Sequence, residues 1–369
     1  MFKLFQSGLC PIGIDVGSHA VRLAQFRPSA QGLSLQAACR IELDSLDGGS
    51  DGLPRLGAAV RHALSSQDFV GRNVVLSLPV SCVHSKSVRL PQMPDLDLHQ
   101  ALQWEAKDRF GFDVGDGAAA GAAAGQLVWF RAGEVRRGTE VKDEILLFAV
   151  EGGVLNEYIQ CLAEQGLRLR AVDLSPCAIY RSLRRTAADP AAPALGAVLD
   201  IGHKGSQFFI VRGEDLVFYK YVDIGGKTLN EAVAAKLGIS VPEALQMRAR
   251  MAAETSEEAA PLAQALADAV RAPLEELARE LDMCMRYFVV TFRGSRPESL
   301  AVAGRQAGAA QVQGALAAAL GLQVEEAQPL RGVHNLGDAA RPDRSGEWAL
   351  AAGLSLYPVL ARRRMEAAA

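Results

Sequence analysis

Apolar positions along the chain alternate with period two in short runs, and stretches of helical spacing lie between those runs. Pro11 to Asp15 is a short apolar strand that ends in Asp15-Val16-Gly17. Val21 to Phe26 alternates, Pro28 to Gly32 signals a turn, and Leu33 to Ile41 reads as a third strand. A polar stretch, Asp44 to Gly52, precedes a helix from Leu53 to Gln67, and Asn73 to Pro79 is a further buried strand. Strand, hairpin, strand, helix, strand is the opening of an α/β lobe.

The same pattern returns 185 positions later. Ala197 to Asp200 is a strand followed by Ile201-Gly202, Ser206 to Val211 is the next, and Leu216 to Ile224 returns after a turn at Gly213 to Asp215. Gly225-Gly226 leads into a helix from Thr228 to Leu237. Repetition at this distance predicts two similar lobes rather than a solenoid, whose periods are far shorter.

Between the copies, residues 83–150 read as an insertion. They hold a β segment (Val83 to Leu90), a helix (Leu98 to Phe110) and strands near Leu127 to Phe130 and Ile145 to Val150. Gly115 to Gly125 is of low complexity and reads as a surface loop. Helices are predicted from Asn156 to Gly166 and from Ser175 to Arg185, and Asp189 to Pro193 is a candidate hinge. A helical block from Val241 to Phe292 is broken at Glu254 to Glu258. It is followed by a strand (Ser299 to Ala303), a helix (Gln311 to Leu320), a strand (Leu322 to Glu325) and a closing helix (Trp348 to Leu356). The expected division is therefore 1–82 and 151–193, with 347–369, as first lobe; 83–150 as inserted subdomain; and 194–346, including the block 228–297, as second lobe.

Composition narrows this picture. The hydrophobic fraction of 49% with 22% charged residues suits a core-forming protein. The net charge of −3 gives no general attraction to nucleic acid or anionic lipid, and Arg362-Arg363-Arg364 is the clearest basic patch. The six cysteines and six histidines are scattered without metal-ligand spacing, which points to a reducing compartment. Met1 to Phe5 lacks a signal-peptide pattern, and no stretch reaches the roughly 18 apolar residues of a membrane span.

The chemistry lies in the paired hairpins. A strand ending in Asp-x-Gly sets one carboxylate beside a ring of backbone N–H groups, and Gly lets backbone approach phosphate oxygens closely. The carboxylates of Asp15 and Asp200 would hold Mg²⁺ through water, because Mg²⁺ favours oxygen ligands and keeps its hydration. Two such hairpins facing each other would clamp the phosphates of a nucleotide. Ala301 to Gly308 follows a strand and precedes a helix, where an adenosine-contacting loop should lie. No P-loop or dinucleotide fingerprint competes.

Ile12-Gly-Ile-Asp-Val-Gly-Ser-His-Ala-Val-Arg22 resembles the first phosphate motif of the PilM family of type IV pilus assembly proteins, also labelled competence protein A. These are actin-like ATPases related to FtsA. Leu199 to Ser206 is similar to the second phosphate motif, and Asp223 to Leu229 to the segment after it. Phe69 to Pro79 looks like the strand before the insertion. Arg89 to Pro94 with Ala101 to Phe110 is similar to a Pro-x-Met-Pro turn and its helix, and Gly166 to Asp173 to the connecting strand.

The resemblance implies a bilobed, ribonuclease H-like repeat fold with an α+β insertion in the first lobe. It implies ATP with Mg²⁺ held by Asp15, Gly17, Ser18, His19, Arg22, Asp200, Gly202, Gly205, Ser206, Gly225, Gly226, Lys227, Arg248 and Gly304. It also implies a cytoplasmic scaffold, peripheral at the inner membrane. There it would grip the N-terminal tail of a PilN-like inner-membrane protein in a groove between the first lobe and the insertion, beside other pilus assembly proteins. Val83 to Leu90 and Gln103-Trp104 are the candidate groove, by strand addition to an exposed edge.

Several residues depart from the family pattern. His19 and Arg22 replace a small hydroxyl residue and Lys, His203-Lys204 is bulky, Gly304 stands where a Gly pair is expected, and Leu245 and Arg248 replace an acid and Lys. Asp173 is the one carboxylate nominated to position water, with a helix cap before Ser175 as its alternative. Any ATPase activity is expected to be weak. A nucleotide-free interaction module, a sugar-kinase-type enzyme and a type II secretion counterpart stand as alternatives.

Overall fold

Both Asp-x-Gly tripeptides end a strand and turn into a hairpin, and a sheet is built around each. The structure, a computed structural model, describes residues 9–29, 32–43, 52–115, 124–185, 195–251, 259–337 and 342–357. The chain begins with β1 (Ile12–Val16), β2 (Ala20–Ser29), β3 (Gly32–Glu42), α1 (Gly52–Ser66) and β4 (Asn73–Ser77). It continues through β5 (His84–Pro91), α2 (Asp95–Phe110), β6 (Val114–Gly115), β7 (Gly125–Arg137) and β8 (Glu140–Val150). Next come α3 (Gly152–Glu164), β9 (Arg168–Val172) and α4 (Ser175–Arg184). The second copy runs β10 (Leu195–Ile201), β11 (Ser206–Arg212), β12 (Asp215–Val222), α5 (Gly226–Leu237), α6 (Val241–Met251) and α7 (Ala260–Phe292). Then follow β13 (Ser299–Ala303), α8 (Ala310–Leu320), β14 (Gln323–Glu326), β15 (Val333–His334), a 3-10 turn (Pro342–Trp348) and α9 (Ala349–Ser355).

Among the described residues the first sheet has the order β15-β3-β2-β1-β4-β9 and the second β12-β11-β10-β13-β14. Apart from β15 they are one topology used twice. β1 pairs antiparallel with β2 and parallel with β4, as β10 does with β11 and β13. β3 and β12 then extend one side antiparallel, while β9 and β14 extend the other side parallel. The residues between β12 and β13 form the helical block, where α7 sends Leu274, Leu277, Leu281, Met285 and Phe288 into the core at helical spacing.

Helices α4 and α9 lie side by side between the two sheets. Ala178 and Leu354 meet Val75 of the first sheet, while Ile179 and Ala349 meet Val198 of the second. Glycine allows this close approach. A Cβ on Gly353 would run into the backbone of Ala178, and one on Gly13 of β1 would lie 2.6 Å from the Ser355 nitrogen.

The insertion is a sheet of order β5-β8-β7-β6. One face of β8, Ile145 and Leu147, packs with Leu98 and Leu102 of α2. The other face, Leu146 and Phe148, packs with Phe209 and Leu216 of the second lobe. Strands β7 and β8 run well beyond the short segments their apolar residues predict. Charged positions extend the ladder, with Arg131 pairing Asp143 at 3.0 Å beside a bulge at Arg131/Gly133. Trp104, named with Gln103 for the groove, is 74% exposed, because α2 buries the Leu98/Leu102 side instead. Residues 44–51, 116–123, 186–194, 252–258 and 358–369 lie outside the described part, and with them the candidate hinge, most of the low-complexity stretch and the Arg362 patch.

The packing of α9 predicts an asymmetry between glycines. Gly353→Ala should lose about 3 kcal/mol by forcing α4 and α9 apart. Gly153→Ala, exposed on α3 with nothing within 4 Å of its added carbon, should be neutral or gain up to about 1 kcal/mol. Urea denaturation of both variants measures this, and equal stabilities would refute the packing account.

Candidate functional site

In each hairpin the aspartate faces the residue seven positions on, across an antiparallel pair: Asp15 opposite Arg22, and Asp200 opposite Gln207. Arg22 Nη1 donates to Asp15 Oδ2 at 3.1 Å, and Gln207 Nε2 donates to Asp200 Oδ2 at 3.2 Å. The turns are matched too, with Gly17 N–H bonding Ala20 O and Gly202 N–H bonding Gly205 O, each at 3.0 Å. Gly304, at φ +91°, brings the loop after β13 against Asp200, and a Cβ there would lie 3.1 Å from Asp200 Oδ1. A side chain at this position would fill the space beside the carboxylate.

The cleft between the hairpins is lined by Asp15, Gly17, Ser18, His19, Arg22, Asp200, Gly202, Gly205, Gly226 and Gly304, all named from the sequence. It encloses about 160 Å³, less than the roughly 300–1,000 Å³ of a small-molecule pocket. The hairpin tips meet across its mouth, where the His19 and His203 rings stack with centroids 4.6 Å apart and planes at 16°. A chain of charges crosses the same cleft. Asp15 pairs Arg22, Arg22 Nε pairs Glu347 at 3.2 Å, and Glu347 pairs Arg40 at 2.6 Å. Arg40 pairs Glu42 at 2.7 Å, and Glu42 pairs Arg305 at 3.1 Å. Arg305 is thus tied to β3 while still lining the cleft and the small cavity beside it.

Five residues named from the sequence are not brought to the cleft lining. Ser206 is fully buried and donates its hydroxyl to Ile224 O at 2.6 Å. Gly225 packs behind the hairpin, where a Cβ would lie 2.8 Å from Gly202 O. Lys227 uses its backbone N–H on His203 O at 2.8 Å and turns its side chain to Glu231. Arg248 lines a small adjoining cavity with Leu245 and Gln306; it donates to Asn230 and Gln306 at 2.6 Å each, and burial lowers it to about 10. Asp173 is ion-paired with Arg181 at 2.7 Å, accepts the Leu174 N–H, and is not among the residues lining the cleft.

Sequence reading missed Gln207, Arg40, Glu42 and Glu347. For Gln207 a signal existed. It stands in the second copy where Arg22 stands in the first, and cross-strand partners interact. The others come from distant segments with no motif of their own.

The conserved-domain model described as "Type IV pilus assembly protein PilM" matches residues 13–358. Among solved structures, one described as a PilM-PilN type IV pilus biogenesis complex superposes with a TM-score of 0.74 at 21% identity, covering 95% of this chain and 98% of that one. The ethanolamine utilization protein EutJ from Carboxydothermus hydrogenoformans gives 0.55 at 13% identity, covering 94% and 89%. MreB5 of Spiroplasma citri bound to AMPPNP gives 0.50 at 10% identity, covering 97% and 98%. The fold is that of the actin-like ATPases. No curated protein matches by sequence.

The two carboxylates differ in how their charge is met. Burial raises Asp15, and Arg22 beside it works the other way. Asp200 has only an amide as neighbour, and burial together with the charge of Asp15 pushes it up to about 6. An acid raised above its unfolded value binds its proton more tightly when folded. The stability it contributes is full below about pH 4 and is lost as pH rises through about 6. Asp200→Asn should therefore be more stable than wild type at pH 7.5, by on the order of 2–3 kcal/mol. The difference should vanish near pH 4. Urea titrations across that range measure it, and a variant no more stable than wild type at pH 7.5 would contradict the buried-charge account.

Proposed function

The chain belongs to the family of the type IV pilus assembly protein PilM, and from that premise we propose that it is a nucleotide-responsive scaffold of pilus assembly. The observation that carries this is the pair of buried carboxylates at facing hairpin ends, with Gly304 leaving space beside Asp200 and Gly17 and Gly202 lining the same cleft. Backbone N–H groups of the hairpins would take phosphate oxygens. Mg²⁺ fits this donor set, since it binds through one or two carboxylates and the phosphates themselves and keeps several waters. Asp200 is the better candidate to hold it, because Arg22 already answers the charge on Asp15. The metal would neutralise phosphate charge and orient the chain's own donors around the nucleotide. Asp173, the carboxylate nominated to position water, is paired to Arg181 instead, and turnover would be slow.

A second cavity, of about 650 Å³, supports a partner site. It lies between the insertion and the first lobe, lined by Leu78, Val83, Val128, Phe148, Ile159 and Val172. Val128 and Val172 are 47% and 36% exposed, and β9 is the last strand of the first sheet. An extended apolar peptide beside a strand edge suits this shape. The solved PilM-PilN complex is the reason we assign the groove to the N-terminal tail of a PilN-like inner-membrane protein. Of the residues named for the groove, Val83 lines this cavity, while His84 to Leu90, Gln103 and Trp104 do not. No helix among the described residues is long and apolar enough to cross a membrane. A cytoplasmic protein held at the inner membrane through its partner fits that.

A second reading is a nucleotide-free interaction module. The His19–His203 stack and the 160 Å³ cleft favour it, because both must open before a triphosphate enters. Titration calorimetry separates the two readings. The scaffold reading expects Mg·ATP binding that Asp200→Ala weakens at least tenfold, and binding of the PilN-like tail peptide that Val172→Asp abolishes while nucleotide binding stays. No Mg·ATP binding at millimolar nucleotide, with peptide binding intact, would establish the module instead.

A further inference from the structure

Gln207 belongs to both cavities. Its amide lines the cleft beside Asp200 and also the apolar groove, and Ser175 does the same. The chemistry of its neighbours decides which way the amide points. One end lies 3.2 Å from Asp200 Oδ2, and the other lies 2.6 Å from Ser175 Oγ and 3.2 Å from the Tyr219 hydroxyl. An ionised carboxylate only accepts, so the end toward Asp200 is the NH₂ group. The carbonyl end then receives both hydroxyls as donors. Gln207 and Ser175 are almost fully buried, so water cannot replace a partner that moves away.

The three partners come from different parts of the molecule. Ser175 opens α4, Asp200 ends β10, and Tyr219 sits on β12 with its ring edge-on to Phe148 of the insertion, centroids 5.0 Å apart. Phe148 and Tyr219 form part of the groove wall. Position 207 is also the repeat equivalent of Arg22, the residue that holds Asp15. The first repeat meets its carboxylate with a cation. The second meets it with an amide, whose orientation depends on what its other end touches.

We propose that Gln207 is a positioning residue linking the two sites: a peptide in the groove fixes Tyr219 and Ser175 on its carbonyl, which holds its N–H on Asp200 and orients that carboxylate for a magnesium–nucleotide complex. This rests on reading the cleft as a nucleotide site and the groove as a partner site. The peptide therefore tightens nucleotide binding, and linkage requires the nucleotide to tighten peptide binding by the same factor. Groups that hydrogen-bond a ligating carboxylate commonly change metal affinity about 10–100-fold.

The test is the Kd of Mg·ATP for the full chain, with and without saturating synthetic peptide of the PilN-like N-terminal tail. In wild type the peptide should tighten Mg·ATP about 5–20-fold. Gln207→Leu should bind Mg·ATP about tenfold more weakly without peptide and show a peptide effect near one at saturating peptide. Tyr219→Phe removes one hydroxyl from the groove side and keeps the Gln207–Asp200 contact. It should keep wild-type Mg·ATP affinity without peptide and lose more than half of the peptide effect, and it carries the test alone should the Leu variant not fold. A peptide effect of one in wild type, or an undiminished effect in the variants, overturns the relay while both binding functions stand. Wild-type protein that binds no Mg·ATP overturns the nucleotide reading, and the relay with it.

Discussion

Two carboxylates buried at facing strand ends repel each other, and much of the cleft is arranged around that fact. The two repeats offer the same slot for an answer, the cross-strand position seven residues on, and fill it differently. Arg22 brings a full charge to Asp15, but a buried guanidinium needs its own balance. Glu347 supplies it from the segment before α9, draws in Arg40, and the chain of alternating charges continues through Glu42 to Arg305 on the second lobe. The separation of the lobes in this closed arrangement is thereby tied to a line of ion pairs that begins at one aspartate. Asp200, given only an amide, keeps an unmet charge.

The insertion is joined to the second lobe as well as the first. Glu144 on β8 is buried and accepts from Ser87, Arg89 and the Tyr287 hydroxyl of α7 at 2.6 to 2.8 Å. Phe292 of α7 packs over Gly133 of β7, and Phe148 meets Tyr219. A groove bounded by the insertion on one side is therefore exposed to movement of the second lobe, although most of its wall belongs to the first. Hinge motion of this kind needs no change inside either sheet.

The doubled sheet was legible because strand alternation and the Asp-x-Gly turns are local, and each strand named from apolar spacing is present, although β7 and β8 run several residues further. Contacts made across the fold were not. Glu347 lies 325 positions from Arg22, and no local pattern marks it. Ser206 and Lys227 sit inside the phosphate motifs but serve the backbone around them, which spacing alone does not distinguish from ligand contact. Gln103-Trp104 was named for the groove, but α2 buries only the face of Leu98, Leu102 and Ala106, and Trp104 lies exposed off that face and away from the groove. Arg181 claims Asp173 from nearly two turns into α4, a pairing that only the path of β9 into that helix creates.

The place of α9 between the sheets has a consequence for how the chain comes off the ribosome. β15 completes the first sheet's edge and α9 covers β1, yet both are synthesised after every strand of the second sheet. The nascent first lobe must wait with the glycine-marked face of β1 uncovered, while the second lobe has its strands in hand. Such late, long-range closure slows folding and leaves apolar surface exposed in the meantime. The lobe that is made first is thus the last to be finished.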